Sequence, residues 1–219
     1  MFESLDLTRL LQRLPAPALA SAQAARARAE ALDLLERESP AAPTFGYAIH
    51  PAHKLSDDTL RVAEAELTVP ALAGQNGELA AVAAVACSLG ASIQHRVSEL
   101  FALRRPALAL ALDTLASELL FRVADRAVAA VRRDAHRMGL SVGGEASPGD
   151  PAFALEHQAA VLALADAGAN SVATLHDGML TPVHSLCTLV SLGRNLPRHS
   201  ASTRCSRCPS ADRCTIRAN

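Results

Sequence analysis

Tryptophan is absent from these 219 residues, tyrosine occurs once and phenylalanine five times. A chain so poor in aromatics lacks the platforms on which single-stranded bases stack. Its 21 Lys and Arg nearly balance its 22 Asp and Glu, so no strong field draws in a phosphate backbone or an anionic membrane surface. The expected partners therefore include no nucleic acid and no membrane. A long apolar run is missing too. The longest stretch free of acids and bases, Leu79 to Gln94, is alanine-rich and broken by Ser88, Gly90 and Ser92; a membrane helix needs roughly 20 apolar residues. Met1 to Leu14 carries Glu3 and Asp6 and has no basic start or small-residue cleavage site, so no secretory signal is read there and the chain is expected in the cytoplasm.

Half of the residues are hydrophobic, ample for a buried core without disulfide staples. Leu7, Leu10, Leu11 and Leu14 fall at helical spacing within Leu5 to Leu14, ended by Pro15 and Pro17. Ala18 to Glu38 reads as a second helix, Thr44 to Ile49 as a short strand, and a third helix is expected to open near Ser56, capped by that serine. Gly74 to Gly77 is a turn. Leu79 to Leu89 is almost continuously apolar, a pattern that fits a buried strand or a buried helix; we read it as a strand. Ser92 to Leu103 is a helix behind a capping serine. A longer one runs from Pro106 to about Met138, with Leu108, Leu112, Leu115, Leu119 and Val123 along one stripe and Gly139 to stop it.

Gly143-Gly144 and Ser147 to Pro151 read as loop, followed by a helix carrying Leu155, Ala159 and Leu162 and closed by Gly168. Strands are expected at Ser171 to Leu175 and Ser185 to Leu192. This irregular order of helices and strands points to an α+β fold, with helices packed on a mixed or antiparallel sheet in one domain.

Four segments, in order, resemble the activation-domain family of cobalamin (vitamin B12)-dependent methionine synthase, including its small free-standing members. They are Ala86 to Gly90 leading into the helix of Ile93 to Phe101, Ala109 to Ser117 with its Leu112-Asp113 pair, Ser147-Pro148-Gly149-Asp150 through Gln158, and Gly178 to Ser185. The resemblance spans Ala81 to Leu192, about half the chain. It implies three portions: an N-terminal helical portion at 1–78, an activation-domain-like core at 79–198 and a cysteine-rich tail at 199–219. It also implies a domain that binds S-adenosylmethionine beside a corrinoid-binding protein or cobalamin-dependent methyltransferase, so that cob(II)alamin on the partner is reduced and remethylated.

The ligand cleft would be lined by Glu145, Ser147, Pro148, Gly149, Asp150 and Phe153 on one side and Met179, His184 and Ser185 on the other. The family loop has the form Arg-x-x-Pro-Gly-Tyr, and Glu145 and Asp150 stand here in place of its Arg and Tyr. Neither acid replaces an Arg that pairs with the methionine carboxylate, although an acid attracts the ligand's ammonium or sulfonium. Gly149-Asp150-Pro151 also fits a plain turn, with Asp150 as N-cap of the next helix. His157 and His176 flank this region.

Of five cysteines, Cys205, Cys208 and Cys214 crowd into the last fifteen residues. In a reducing compartment that spacing points to metal rather than to disulfides. Small relatives of the family end in a similar pattern, and electron delivery to cobalt suggests an iron-sulfur cluster, of the 4Fe-4S type, with zinc as the alternative. Cys187, His199 or a non-protein ligand fills the fourth position. Cys87 reads as a core residue. Ser185 and Cys187 share one face of their strand and His184 takes the other, which argues against a Cys/His nucleophile pair. The resulting expectation is an accessory protein for a cobalamin-dependent methyltransferase system. Its rivals are an interaction or assembly module that no longer binds S-adenosylmethionine, and a small iron-sulfur electron carrier.

Overall fold

The apolar run and the long helix identified in the sequence lie against each other at the centre of the molecule. The computed structural model describes residues 2–14, 21–166, 172–175 and 178–197. In chain order the elements are β1 (Phe2–Ser4), α1 (Leu7–Leu11), α2 (Ala22–Glu38), β2 (Thr44–Lys54), β3 (Thr59–Val62), β4 (Ala65–Thr68) and α3 (Pro70–Ala73). They continue with β5 (Glu78–Ser88), α4 (Ser92–Ala102), α5 (Pro106–Arg137), β6 (Ser141–Ala146), a 3₁₀ turn (Leu155–His157), α6 (Gln158–Leu164), β7 (Ala173–Thr174), β8 (Leu180–Thr181) and β9 (Ser185–Arg194).

Among the described residues the main sheet has the order β4-β3-β2-β5-β9-β6, with β1 also paired to β2, and every pairing in it is antiparallel. The α+β class therefore holds, and the sheet is antiparallel. Residues 2–78 supply strands as well as helices, and β2 pairs along β5 from Thr44↔Ser88 to Pro51↔Ala81. A separate two-stranded ribbon joins β7 to β8.

β5 is buried on both faces, which is why its sequence shows no alternation. Ala81, Ala83, Val85 and Cys87 enter one apolar cluster with α2, α4 and α5. Val82, Ala84 and Ala86 enter a second, with β3, β4, α3 and α6. The stripe Leu108, Leu112, Leu115, Leu119 and Val123 is fully buried in the first. Pro106 begins α5 and Gly139, at φ 71°, follows its end. One charged pair bridges the helices. Arg28 of α2 donates to both carboxylate oxygens of Glu118 on α5, at 2.7 and 2.6 Å, with side chains only 11% and 4% exposed.

Several local expectations are corrected. No helix opens near Ser56: its hydroxyl bonds Asp58, and Leu60, Val62 and Leu67 alternate inward along the β3–β4 hairpin. The helix α4 starts at Ser92 with Ala91 as its N-cap and no side-chain cap; Ser88 Oγ instead accepts the Gly90 N–H at 3.0 Å. Gly143 and Gly144 lie in β6, not in a loop. A Cβ on Gly144 would collide with the amide of Gln75, whose Oε1 accepts from Ser191 Oγ at 3.0 Å and from the Gly144 N–H at 3.3 Å. The glycine makes room for a side chain arriving from another element. Gly168 and Ser171 lie outside the described residues.

Candidate functional site

Antiparallel pairing brings the C-terminal ends of β5 and β6 and the N-terminal end of β9 to one end of the sheet. Ser88 lies opposite Ser185 and Ala146 opposite Leu189. The loop that leaves β6 folds back on itself at that end. Asp150 Oδ2 accepts the Ser147 N–H at 2.8 Å, the Asp150 N–H reaches Ser147 O at 2.9 Å, Gly149 N–H reaches Phe153 O at 2.8 Å and Phe153 N–H reaches Asp150 O at 2.9 Å. Asp150 thus caps its own turn and not the following helix, which corrects the N-cap expectation; the next ordered turn begins only at Leu155.

Phe153 anchors the loop. It is 1% exposed, in the cluster that holds Ala146, Val161, Cys187 and Leu189, and its ring meets the His157 ring with centroids 5.5 Å apart. Above this anchor is an open hollow of about 600 Å³ lined by Thr68, Gly149, Asp150, Ala152 to Leu155, Glu156 and His157.

The sequence-derived residues divide on the two faces of the sheet. Gly149, Asp150 and Phe153 line the hollow, and Ser147 and Pro148 belong to its loop. Glu145 is buried opposite Val190, a residue of the helix-side cluster, and so is turned away from Phe153. The second segment approaches at its start only: a Cβ on Gly178 would lie 3.3 Å from the Leu155 side chain, and Met179 is exposed.

Farther along, His184 is 5% exposed, and its Nε2 lies 3.1 Å from Asp113 Oδ1 on α5 while its Nδ1 is buried with no partner among the described residues. The Val183 N–H donates to Gln94 Oε1 at 3.3 Å, and Ser185 Oγ donates to Ser88 Oγ at 2.9 Å. His184 and Ser185 therefore brace the strand end and do not line the hollow. Of the further lining residues Thr68, Leu155, Glu156 and His157, only His157 carries a site expectation from the sequence, as a flank of this region. The last three follow the loop directly in the chain, whereas nothing in the sequence announces Thr68, which β4 delivers from far upstream.

The described residues contain no group of three or more His, Cys, Asp or Glu placed to hold a metal. Cys205, Cys208, Cys214 and His199 lie outside the described residues, as does His176. Cys187 is 3% exposed and burial pushes its thiol up to about 12, so it is a core residue and a poor source of a thiolate ligand. Cys87 is buried on the other face. Among the described residues no helix is long and apolar enough to cross a membrane.

No protein-family model matches the chain, and no curated protein sequence matches it. Among solved structures it is similar to the crystal structure of the MetH reactivation domain bound to AdoHcy, at 14% sequence identity and a TM-score of 0.67, over 91% of this chain and 80% of that one. At that identity the likeness establishes the fold alone, an α+β architecture with an antiparallel sheet.

Proposed function

We propose that this chain binds an S-adenosyl ligand in the hollow above Phe153 and serves a cobalamin-dependent methyltransferase system, supporting reductive activation or remethylation of a corrinoid carried by a cytoplasmic partner protein. The observation that carries this reading is the match of 91% of the chain to a reactivation domain solved with AdoHcy. The hollow supports it: it is built on the Ser147-Pro148-Gly149-Asp150 loop, where the sequence resembles the ligand loop of that family. When bound, S-adenosylmethionine would supply the methyl group, with the neutral thioether S-adenosylhomocysteine as the leaving group. The chain's own contribution is to bind, to orient and to present the ligand to the partner.

Within that reading the residues have distinct tasks. Phe153 and the turn that Asp150 closes hold the floor of the hollow, and His157 lies over Phe153 as one wall. Leu155, in contact with Gly178, joins the loop to the segment that leads into β9. Ser185, His184 and Asp113 fix the end of that segment against β5 and α5. The tail cysteines Cys205, Cys208 and Cys214 would hold an iron-sulfur cluster, or zinc, on the strength of their spacing alone.

A second reading is favoured by the absence of Lys and Arg among the described residues that line the hollow: an assembly module that keeps the fold and has lost the ligand. Calorimetry on the purified full chain separates the two. Saturable binding of S-adenosylmethionine or S-adenosylhomocysteine is expected. No heat with either at millimolar concentration would overturn the ligand-binding reading and leave the assembly module.

A further inference from the structure

Seven consecutive residues, Phe101 to Ala107, are exposed where α4 turns into α5. The turn is tight: the N–H groups of Leu103, Arg104 and Arg105 reach Glu99 O, Phe101 O and Leu100 O at 2.9, 3.0 and 2.9 Å, and Arg104 adopts a left-handed φ of 56°. Phe101 and Leu103 project from it at 47% and 63% exposure, and Leu110 follows on α5 at 58%. Leu103, Ala107, Leu110 and Thr114 recur at intervals of four, three and four residues, the spacing of a helix-pairing seam. The Thr114 hydroxyl is spent on Leu110 O at 2.9 Å, so it adds no free donor to the seam. A net charge of −1 opposes self-association only weakly.

Charge decides what covers this face. α5 can meet α5 of a second copy antiparallel about a two-fold axis, which makes the seam its own complement. Two registers are open to it. An axis between Leu115 and Ala116 sets Leu110 against the partner's Phe121, but it brings Arg105 opposite the partner's Arg126, like charge on like. An axis between Leu108 and Ala109 sets Leu110 against the partner's Ala107 and Leu103 against the partner's Thr114. It also brings Arg104 opposite the partner's Asp113. Arg104 is exposed and makes no ion pair among the described residues, whereas Asp113 is 51% exposed and gives only one oxygen to His184. We infer that the chain forms a two-fold dimer through the N-terminal part of α5 in this second register, with an Arg104–Asp113 pair at each end of the seam. The inference is independent of what the hollow binds. Leu100 and Leu108, beneath the corner, belong to the helix-side cluster and Phe153 to the cluster on the opposite face of the sheet, so both hollows stay open in the dimer.

Sedimentation equilibrium of the full chain over a range of concentrations tests this. Wild type should pass from monomer to dimer as concentration rises. Leu110→Glu, at an exposed position, should stay monomeric with an unchanged far-ultraviolet circular dichroism spectrum. Arg104→Glu should weaken association by about tenfold or more, since two exposed ion pairs are lost, and high salt should shrink that difference. Phe121→Glu should leave association intact, because this register keeps that side chain outside the seam. Wild type that is monomeric at millimolar concentration would overturn the inference and leave the face to a different protein. A dimer that survives Leu110→Glu, one that Arg104→Glu does not weaken, or one that Phe121→Glu abolishes would overturn it as well.

Discussion

The chain's single tyrosine gives a direct reading of how the sheet is docked on its central helix. Tyr47, on β2 opposite Val85, donates its hydroxyl to Asp134 Oδ2 near the end of α5 at 2.6 Å. Burial, and then the hydrogen bond and negative charge of Asp134, push its ionisation up from 10.0 to about 12, against the weaker opposing pull of Arg133 and Arg137. The folded protein thus holds the phenolic proton more tightly than the unfolded chain does. The stabilisation is fully present below about pH 10, where both states are protonated, and is lost as pH rises from there through about 12. With no tryptophan and no second tyrosine, tyrosinate absorbance in the near ultraviolet reports this one group. An alkaline titration followed together by absorbance and far-ultraviolet circular dichroism should show ionisation delayed by about 2 units, or arriving only with loss of helix signal. Asp134→Ala should move it back toward the ordinary value. Tyrosinate forming near pH 10 in wild type while the helix signal stays whole would refute the Tyr47–Asp134 contact.

Alanine at Leu112 or Leu115, both fully buried on α5, should cost about 2 to 5 kcal/mol through transfer and cavity terms, read from urea midpoints; unchanged midpoints would refute the packing. Arg28→Ala should cost about 3 to 5 kcal/mol, because it leaves the Glu118 carboxylate buried without its bidentate partner, whereas replacing both by leucine should be close to neutral. A single variant as mild as the double one would show that the pair is solvated. For the tail, protein purified without oxygen should be brown and bleach on reduction, and serine at Cys205, Cys208 or Cys214 should remove the colour while the core stays folded. Colourless protein with stoichiometric zinc would replace the redox role by a structural clip, and protein with neither metal would end the metal reading.

Much of the fold was legible because its signals are local or periodic. The α5 stripe repeats over several turns, Pro106 and Gly139 bracket it, and the apolar run of β5 can be nothing but central. The misreadings have two causes, a partner far away in sequence and a local contact that imitates a helix start. Gly143-Gly144 looks like a loop until Gln75 is seen to occupy the space a Cβ would take. Asp150-Pro151 looks like a helix start, yet the carboxylate turns back to Ser147. The β3–β4 strands of four residues each are too short for alternation to outweigh the capping pattern around Ser56.

The site divides in the same way. Its loop was found because it is contiguous, whereas Thr68 was not. His184 was expected at a ligand cleft and instead meets Asp113 across 71 residues of chain. Glu145 and Phe153 sit eight positions apart, and the sheet face that Glu145 takes depends on the register shift between Val142 and Glu145 in the β6–β9 pairing. Strand alternation cannot be carried across such an irregularity from sequence alone.

Hydrogen exchange with and without S-adenosylmethionine tests the central claim most directly, because it locates the ligand as well as detecting it. The account predicts slowed exchange in the segment from Ser147 to His157 and in the β4 segment around Thr68, which are far apart in the chain and meet only at the hollow, with little change in α2 or along the outer face of α5. Protection confined to the α4–α5 face, or no protection at a ligand concentration that saturates calorimetry, would contradict it.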